Sequence, residues 1–211
     1  MKIILFDLDG TLIDSTKAIV HSFEASFKTF EQEIPQKSEI LRLIGHPLEV
    51  MFENLGAPKS KVWDYVGAYR ENYKDVAKPN TTLLPTAYEA VLLASKHAKV
   101  GAVTTKSSYF SEIILKHLKV FDYFDTIVGR EDVKNPKPDP EPIIKALKDL
   151  NGDKDSCWMV GDTGMDMEAA SKAGVNMVAV SCGFAPLKEL EKYTKNIEKT
   201  PLEAVEKIVK I

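Results

Sequence analysis

The sequence has few cysteines, no long apolar run and almost no excess of charge of either sign. Its 211 residues include two cysteines, Cys157 and Cys182, and no CxxC pair, so neither a disulfide framework nor a zinc site is expected. Lysine and arginine number 28 against 31 acidic residues, and the net charge of −3 disfavours nucleic-acid binding through a basic surface. No apolar run approaches the roughly 18 residues of a membrane span, and the first run reaches Asp7 too soon for a signal peptide. We therefore expect a soluble cytoplasmic protein with reduced thiols.

Short apolar runs alternate with helical patterns through most of the chain. Five buried strands are predicted, at residues 2–6, 100–104, 126–129, 157–161 and 175–180. Helices are predicted between most of them, at residues 87–96, 109–118, 142–150 and 165–173. Because strands that alternate with helices form parallel sheets covered on both faces, the pattern predicts an α/β fold with a Rossmann-like parallel sheet.

One long stretch interrupts this alternation. Between about residues 15 and 77 the pattern is helical and contains no convincing strand. Helix breakers divide this stretch at Pro35, 45–47 and 56–58, and its aromatic residues repeat at helical spacing, which indicates a small core of its own. The sequence therefore predicts a core domain of residues 1–14 and 82–211 with an inserted all-helical cap of residues 15–81. A unit inserted there would sit over the carboxyl end of the first strand, where open α/β sheets bind ligands.

Two pairs of aspartates follow predicted strands. Asp7 and Asp9 end the first strand two residues apart, so their side chains leave extended backbone in the same direction, and Gly10 permits a sharp turn. Asp162 and Asp166 follow the fourth strand four residues apart, so both face the same way across the first turn of the next helix. Each pair alone also has a purely structural explanation, as a turn or as a helix N-cap.

Adjacent parallel strands would bring the two pairs together. At about 4 Å and an effective dielectric constant of about 20, two carboxylates repel by about 4 kcal/mol, so four of them need a cation. The group offers hard oxygen ligands and has no nearby cluster of histidine or cysteine, which suits Mg²⁺. The sequence therefore predicts a magnesium site where these strands end.

Two segments offer groups that can bind an anion. One follows the second predicted strand, and the other is a proline-rich loop. Thr104 and Thr105 offer a hydroxyl and backbone N–H groups to an anion, although threonines here also cap helices. Lys137 lies between prolines in the sequence Asn-Pro-Lys-Pro-Asp-Pro. The prolines restrict the backbone, and the rigid presentation of the ammonium suits a fixed charge aimed at a phosphate.

In chain order, the motifs are a strand-end DxDGT, a strand-end threonine, a proline-framed lysine and a strand-end GDxxxD. This set resembles the four motifs of the haloacid dehalogenase-like hydrolase superfamily over nearly the whole chain, and the helical insertion resembles its helical cap. The phosphoglycolate phosphatases are closest in layout, because they share the Pro-Lys-Pro-x-Pro form of the third motif and an Ile-Gly-x-Pro-Leu stretch in the cap. The resemblance implies a Mg²⁺-dependent phosphatase that acts on a small-molecule phosphate monoester.

The same resemblance implies a role for each aspartate. Asp7 would be the nucleophile that forms an aspartyl-phosphate. Asp9 would protonate the leaving oxygen and later deprotonate the hydrolytic water. Mg²⁺ would be held by the Asp7 carboxylate, the backbone carbonyl of Asp9 and Asp162, with Asp166 supporting this ligand set from outside.

The anion-binding groups complete this implied scheme. Thr104, Thr105 and Lys137 would bind the phosphoryl oxygens, and Lys137 would also neutralise charge beside Asp7. Four carboxylates against one lysine cannot accept a phosphate dianion without a metal, so the charge count favours the same scheme.

Substrate choice would belong to the cap. Arg42, Gly45 and His46 lie in or beside a cap loop that in this family reaches over the core site, although an exposed loop histidine commonly has no ligand. Phosphoglycolate is the leading substrate, and pyrophosphate or a nucleotide is an alternative in the same superfamily. A monomer is expected.

Other interpretations of the motifs remain open at this point. A phosphorelay receiver domain, which is a signalling module, also uses strand-end acids, a threonine and a lysine, but there the lysine follows the acids, whereas Lys137 precedes Asp162 and Asp166. A mutase of the β-phosphoglucomutase type needs a cap histidine where this chain has Ile19. A dehalogenase has little use for Asp9. The phosphatase interpretation therefore leads.

Overall fold

The structure is a computed structural model that describes all 211 residues. Its eight strands are β1 (Lys2–Phe6), β2 (Ile13–Asp14), β3 (Thr82–Leu83), β4 (Ala98–Val103), β5 (Thr126–Val128), β6 (Cys157–Gly161), β7 (Asn176–Val180) and β8 (Ile197–Glu198). Its ten α-helices are α1 (Thr16–Thr29), α2 (Lys37–Leu43), α3 (Leu48–Asn54), α4 (Val62–Val76), α5 (Ala87–His97), α6 (Ser108–His117), α7 (Glu141–Asp149), α8 (Gly164–Ala173), α9 (Leu187–Leu190) and α10 (Pro201–Lys210). None of these helices combines the length and apolar character that crossing a membrane requires.

The chain forms two compact units. The sheet unit contains residues Met1–Ile13 and Leu83–Ile211, and the helical unit contains residues Asp14–Thr82. The chain passes between the units within the short strands β2 and β3, which pair with each other.

A six-stranded parallel sheet forms the centre of the sheet unit. Its strand order is β5-β4-β1-β6-β7-β8, and every adjacent pair runs parallel. Residues Ile3 to Phe6 of the central strand β1 are fully buried, as expected for a parallel sheet covered on both faces. The predicted α/β fold is confirmed. The two-residue edge strand β8 was not predicted, because so short a segment carries no measurable periodicity.

The strand order places a crevice at the carboxyl end of β1. From β1, the strands β4 and β5 lie to one side and the strands β6, β7 and β8 lie to the other. Phe6, the last residue of β1, pairs with Ala102 of β4 and with Val160 of β6. The residues that follow these three strands therefore emerge at the same edge, which is where open α/β sheets bind ligands.

The helical unit has a core of aromatic rings. Phe52 is fully buried, and its ring centroid lies 4.5 Å from that of Phe23, 5.6 Å from Tyr65 and 6.2 Å from Tyr69. Inside this unit, the Ser26 hydroxyl donates a hydrogen bond to the Tyr65 carbonyl at 2.8 Å. The prediction that the repeated aromatic residues form a small core of their own is confirmed.

The predicted helix breakers separate the helices of this unit. Pro35 lies between α1 and α2, and Gly45 and Gly56 follow α2 and α3. Gly45 has a φ of +106° and Gly56 a φ of +94°, which is the left-handed region that a glycine enters without steric cost. A helix cannot continue through a residue with this backbone conformation.

Replacing Phe52 by alanine should destabilise the helical unit strongly. The substitution removes a ring that contacts several others and leaves a cavity, so we expect a loss of about 3–5 kcal/mol in the free energy of unfolding, measured by urea denaturation. Trp63→Ala is the matched control, because Trp63 is 62% exposed on α4 and its loss should change stability by no more than about 0.5 kcal/mol. Equal effects of the two substitutions would contradict the assignment of the core.

Candidate active site

Three strand ends bring Asp7, Thr104 and Asp162 to one edge of the sheet. Asp7 follows β1, Thr104 follows β4 and Asp162 follows β6, and β1 lies between the other two strands. The backbone N–H of Asp7 donates to the Val160 carbonyl at 2.9 Å, which extends the strand pairing to this edge. The three side chains are buried, so their polar groups must find partners inside the protein.

Both carboxylate oxygens of Asp162 accept hydrogen bonds from the protein. Oδ1 accepts from the Thr11 hydroxyl at 2.8 Å, and Oδ2 accepts from the backbone N–H of Phe184 at 2.8 Å. Gly10 and Gly183 lie so close that a Cβ on either would fall 2.3 Å or 2.0 Å from Oδ2. Neither donor was predicted. Thr11 is the threonine of the DGT sequence, so the motif was a signal for it, whereas nothing in the loop after β7 indicated Phe184.

Asp166 serves both as a helix cap and as a member of the site. Its Oδ2 accepts from the backbone N–H and the hydroxyl of Thr163, at 3.0 Å and 2.7 Å, which forms the capping box of α8. Its Oδ1 accepts from Nζ of Lys137 at 2.5 Å. The structural and functional explanations of GDxxxD are therefore compatible.

Lys137 is buried against two carboxylates. Its Nζ lies 2.9 Å from Oδ1 of Asp7, and it donates to Asp166 and to the Val103 carbonyl, the latter at 2.9 Å. Burial alone would lower the pKa of Lys137, but the charges of Asp166 and Asp7 outweigh burial and raise it. The lysine therefore stays charged and links the strand-end nucleophile candidate to the GDxxxD motif.

Asp7, Asp162 and Asp166 form one acidic cluster. A carboxylate oxygen from each lies within 4.8 Å of the others, and all three side chains are buried. Burial raises the pKa of Asp7 to about 6, although the Lys137 ammonium lowers it. Burial, together with the charges of Asp166 and Asp7, also raises the pKa of Asp162. The fold thus disfavours the ionised forms of Asp7 and Asp162. An additional cation in the cluster would favour them.

The acidic cluster fits a Mg²⁺ ion. Oδ1 of Asp7 is buried and accepts no well-directed hydrogen bond, even though the Lys137 ammonium is close. Carboxylate oxygens without histidine or cysteine are the hard ligands that Mg²⁺ prefers. Asp166 accepts hydrogen bonds on both oxygens, and one of them comes from the Lys137 ammonium, whereas the donors to Asp162 are uncharged. The ion pair suits Asp166 to a position that supports the ligand set from outside.

The expected convergence of four carboxylates on one lysine is wrong. The carboxylate of Asp9 lies outside the acidic cluster, and its Oδ2 pairs with Nζ of Lys106 at 3.1 Å. Both side chains are nearly buried, at 12% and 8% exposed. Lys106 was not predicted to belong to the site, although it lies two residues after Thr104 at a strand end. The site therefore holds two cations and separates Asp9 from the other three acids.

Thr104 and Thr105 follow β4 as predicted, but the backbone N–H of Thr104 contributes less than expected. The N–H of Thr104 is used in the sheet, where it donates to the Val128 carbonyl at 3.0 Å. The N–H of Lys106 donates to the Thr104 hydroxyl oxygen at 3.2 Å. Thr104 therefore offers an anion its hydroxyl proton rather than its backbone N–H.

Glu141 holds the loop that carries Lys137. Its carboxylate accepts from the backbone N–H groups of Lys134 and Asn135, each at 2.9 Å, and its own N–H donates to Asp139 at 2.9 Å. The hydrogen bonds from Lys134 and Asn135 lower the pKa of Glu141 below its usual 4.5. The prolines and this carboxylate together fix the loop on both sides of the lysine.

The predicted cap residues lie in the helical unit. Arg42 donates from Nε to the Ser38 carbonyl of its own helix, α2, at 3.2 Å. His46 follows Gly45, and its partial burial lowers the pKa of the imidazole. A role for Arg42, Gly45 and His46 in substrate choice stays a prediction.

The two cysteines are not activated thiols. Cys157 is buried in β6, and burial raises its pKa to about 12, which favours the protonated thiol. Burial and the charge of Asp162 raise the pKa of Cys182 to about 11, and its thiol lies 3.7 Å from the Gly10 carbonyl.

Glu141→Gln should weaken the loop in a pH-dependent way. Because the pKa of Glu141 is lower in the folded state, the carboxylate stabilises the protein above pH 4.5, and this contribution is lost as pH falls through the folded value. The variant should therefore melt about 1–3 °C below wild type at neutral pH. The difference should shrink towards about pH 3, as thermal unfolding followed by circular dichroism would report.

A control variant separates this effect from the loss of an ordinary surface charge. Glu112→Gln removes an exposed carboxylate that pairs with Lys116 on α6, and such pairs contribute little. A melting difference for Glu141→Gln that stays constant from neutral to acidic pH would argue against the role of its carboxylate.

Gly183→Ala should weaken binding of Mg²⁺. The new Cβ would lie 2.0 Å from Oδ2 of Asp162, so the carboxylate or the loop must move, and we expect about a 10- to 100-fold loss in affinity by calorimetric titration. Gly67→Ala is the control, because a Cβ there meets no atom within 4 Å and alanine favours the helix α4. Unchanged affinity in Gly183→Ala would mean that Asp162 is not a ligand.

Comparisons with known proteins agree with this geometry. Residues 4–180 match the family of haloacid dehalogenase-like hydrolases. The pyrophosphatase PpaX of Bacillus cereus strain Q1 is 36% identical over 196 residues, which are 92% of this chain and 90% of that protein. This breadth and identity establish relationship over both units of the chain.

Solved structures share the whole fold. A protein of Bacteroides fragilis named as a haloacid dehalogenase-like hydrolase aligns with a TM-score of 0.91 at 28% identity, over 96% of this chain and 98% of that chain. A protein of Clostridium acetobutylicum named as a predicted phosphatase aligns with a TM-score of 0.90 at 28% identity, over 100% and 99%. A receiver domain is thereby excluded. The protein belongs to the haloacid dehalogenase-like hydrolases and is an enzyme, as its four motifs implied.

Proposed function

We propose that this enzyme is a Mg²⁺-dependent phosphatase that hydrolyses a small-molecule phosphate monoester through an aspartyl-phosphate on Asp7. The observation that carries the proposal is Oδ1 of Asp7, a buried oxygen without a well-directed hydrogen bond, beside a charged lysine. A nucleophile needs a lone pair that no directed hydrogen bond occupies, and Lys137 supplies the positive charge that draws a phosphoryl group towards it.

The reaction would proceed in two steps. Asp7 attacks phosphorus, the bond to the leaving oxygen breaks, and Asp9 gives that oxygen its proton. Asp9, now a carboxylate, removes a proton from water, which attacks the phosphorus of the aspartyl-phosphate and releases inorganic phosphate and free Asp7. Lys137, the Thr104 hydroxyl and Thr105 would hold the phosphoryl oxygens in both steps.

The Asp7 carboxylate, the backbone carbonyl of Asp9 and Asp162 would hold Mg²⁺, and Asp166 would support them. The ion would supply positive charge that offsets the phosphate oxygens and the acidic cluster. The hydrogen bonds from Thr11 and Phe184 orient Asp162 for this task, and those from Thr163 and Lys137 orient Asp166.

Phosphoglycolate is the substrate that the motif pattern favours, and pyrophosphate is a second candidate. The second is favoured by the relative named pyrophosphatase PpaX. Residues 1–14 and 82–211 would form the catalytic core, and residues 15–81 a cap in which Arg42, Gly45 and His46 select the ester. We propose a monomer. The ratio of kcat/KM for the two candidates decides between them.

Asp7→Asn should abolish phosphatase activity. An amide is a poor nucleophile, so hydrolysis of para-nitrophenyl phosphate with Mg²⁺ should fall by at least about 10³-fold, and EDTA should have a comparable effect on wild type. Mass spectrometry of acid-quenched wild-type protein should detect the phosphorylated chain, and Asp7→Asn should lack it.

The matched control is Asp64→Asn, which removes an exposed carboxylate from α4. This variant should keep the wild-type rate. Activity that survives both EDTA and Asp7→Asn would overturn the proposed mechanism.

A further inference from the structure

We propose that Lys106 makes this enzyme selective for phosphate esters whose leaving group is itself negatively charged. The inference rests on the proposed function and adds to it the chemical class of the leaving group. Its basis is the ion pair between Lys106 and Asp9, whose Nζ and Oδ2 lie 3.1 Å apart.

The two lysines of the site serve different carboxylates. Lys137 contacts Asp7 and Asp166, and therefore lies on the side of the nucleophile. Lys106 contacts Asp9, the proposed acid and base. In an in-line displacement the attacking and leaving oxygens lie on opposite sides of phosphorus. The second cation is therefore placed with the leaving group rather than with the transferred phosphoryl group.

Lys106 would lie beside the leaving group, because its partner Asp9 must contact the leaving oxygen. A general acid must lie within hydrogen-bonding distance of the oxygen that it protonates. The ammonium beside that acid is then a neighbour of the atoms bonded to the leaving oxygen. It is 8% exposed, so its attraction for an anion there is screened little by water.

Leaving groups differ in whether they carry a negative charge that can pair with the Lys106 ammonium. Glycolate carries a carboxylate next to its hydroxyl, and the leaving group of pyrophosphate is a phosphate. Both can accept a charge-assisted hydrogen bond from Lys106, which a neutral alcohol of the same size cannot match. Lys106 thus accounts for a property that the two candidate substrates share, although their leaving groups have different shapes.

The test compares two substrates of similar size whose main difference is this charge. Phosphoglycolate and 2-hydroxyethyl phosphate have leaving groups of similar size, one anionic and one neutral. For wild type, kcat/KM should be about 10- to 100-fold higher for phosphoglycolate, the ratio typical of one charge-assisted hydrogen bond. Pyrophosphate hydrolysis, followed as released phosphate, should show the same dependence on Lys106.

Variants of Lys106 test whether this residue causes the preference for an anionic leaving group. Lys106→Met should lower kcat/KM for phosphoglycolate about 10- to 100-fold more than for 2-hydroxyethyl phosphate. Lys106→Arg should keep the preference within about threefold. Lys116→Met is the control, because Lys116 lies on the exposed face of α6 and pairs with Glu112. It should leave both rates unchanged.

Four other results would contradict either the selectivity proposal or the proposed function. If Lys106→Met lowers kcat/KM for both esters equally, Lys106 only positions Asp9 and the selectivity proposal fails. If wild type hydrolyses both esters equally, the proposal fails without any variant. If wild type hydrolyses para-nitrophenyl phosphate in an Asp7-dependent way but not phosphoglycolate or pyrophosphate, the proposed function stands and this inference fails. If it hydrolyses none of them, the proposed function fails first.

Discussion

Burial of like charges at one sheet edge is the constraint on which the rest of the site depends. Asp7, Asp162 and Asp166 lie within 4.8 Å of one another in a place where water cannot screen them. The fold compensates with the Lys137 ammonium, with two backbone N–H groups and with two threonine hydroxyls. These partners offset the repulsion only in part, since burial still raises the pKa of Asp7 and Asp162. The remaining imbalance is the reason why the acidic cluster fits a divalent cation.

The strand order decides which side chains lie beside Asp7. Because β1 lies between β4 and β6, its end residue Asp7 is flanked by Thr104 on one side and Asp162 on the other. The same order keeps Asp9, two residues further on, out of the acidic cluster and against Lys106. Two aspartates close in sequence thus face different cations. The proposed mechanism would need this separation, because one aspartate would act as the nucleophile and the other would transfer protons.

Rigid support comes from elements with no chemistry of their own. Glu141 ties down the lysine loop through two backbone N–H groups, and Gly10 and Gly183 leave room for the carboxylate of Asp162. The aromatic core of the helical unit is separate from this support, because its rings pack against one another within residues 14–82. Precision at the sheet edge therefore depends on a few short contacts, each of which a single substitution can remove.

The sequence by itself determined the α/β class, the main strands and the motifs, because burial periodicity and residue chemistry are local properties of a chain. It also placed Asp7 and Asp162 at strand ends, and the strand order of the sheet then showed that these two strands are neighbours. Only the tertiary structure decided that Asp9 turns to Lys106, that Phe184 holds Asp162, and that a two-residue strand closes the sheet. These features depend on contacts between residues far apart in the chain or on the direction of one side chain at a turn, and neither leaves a periodic trace in the sequence.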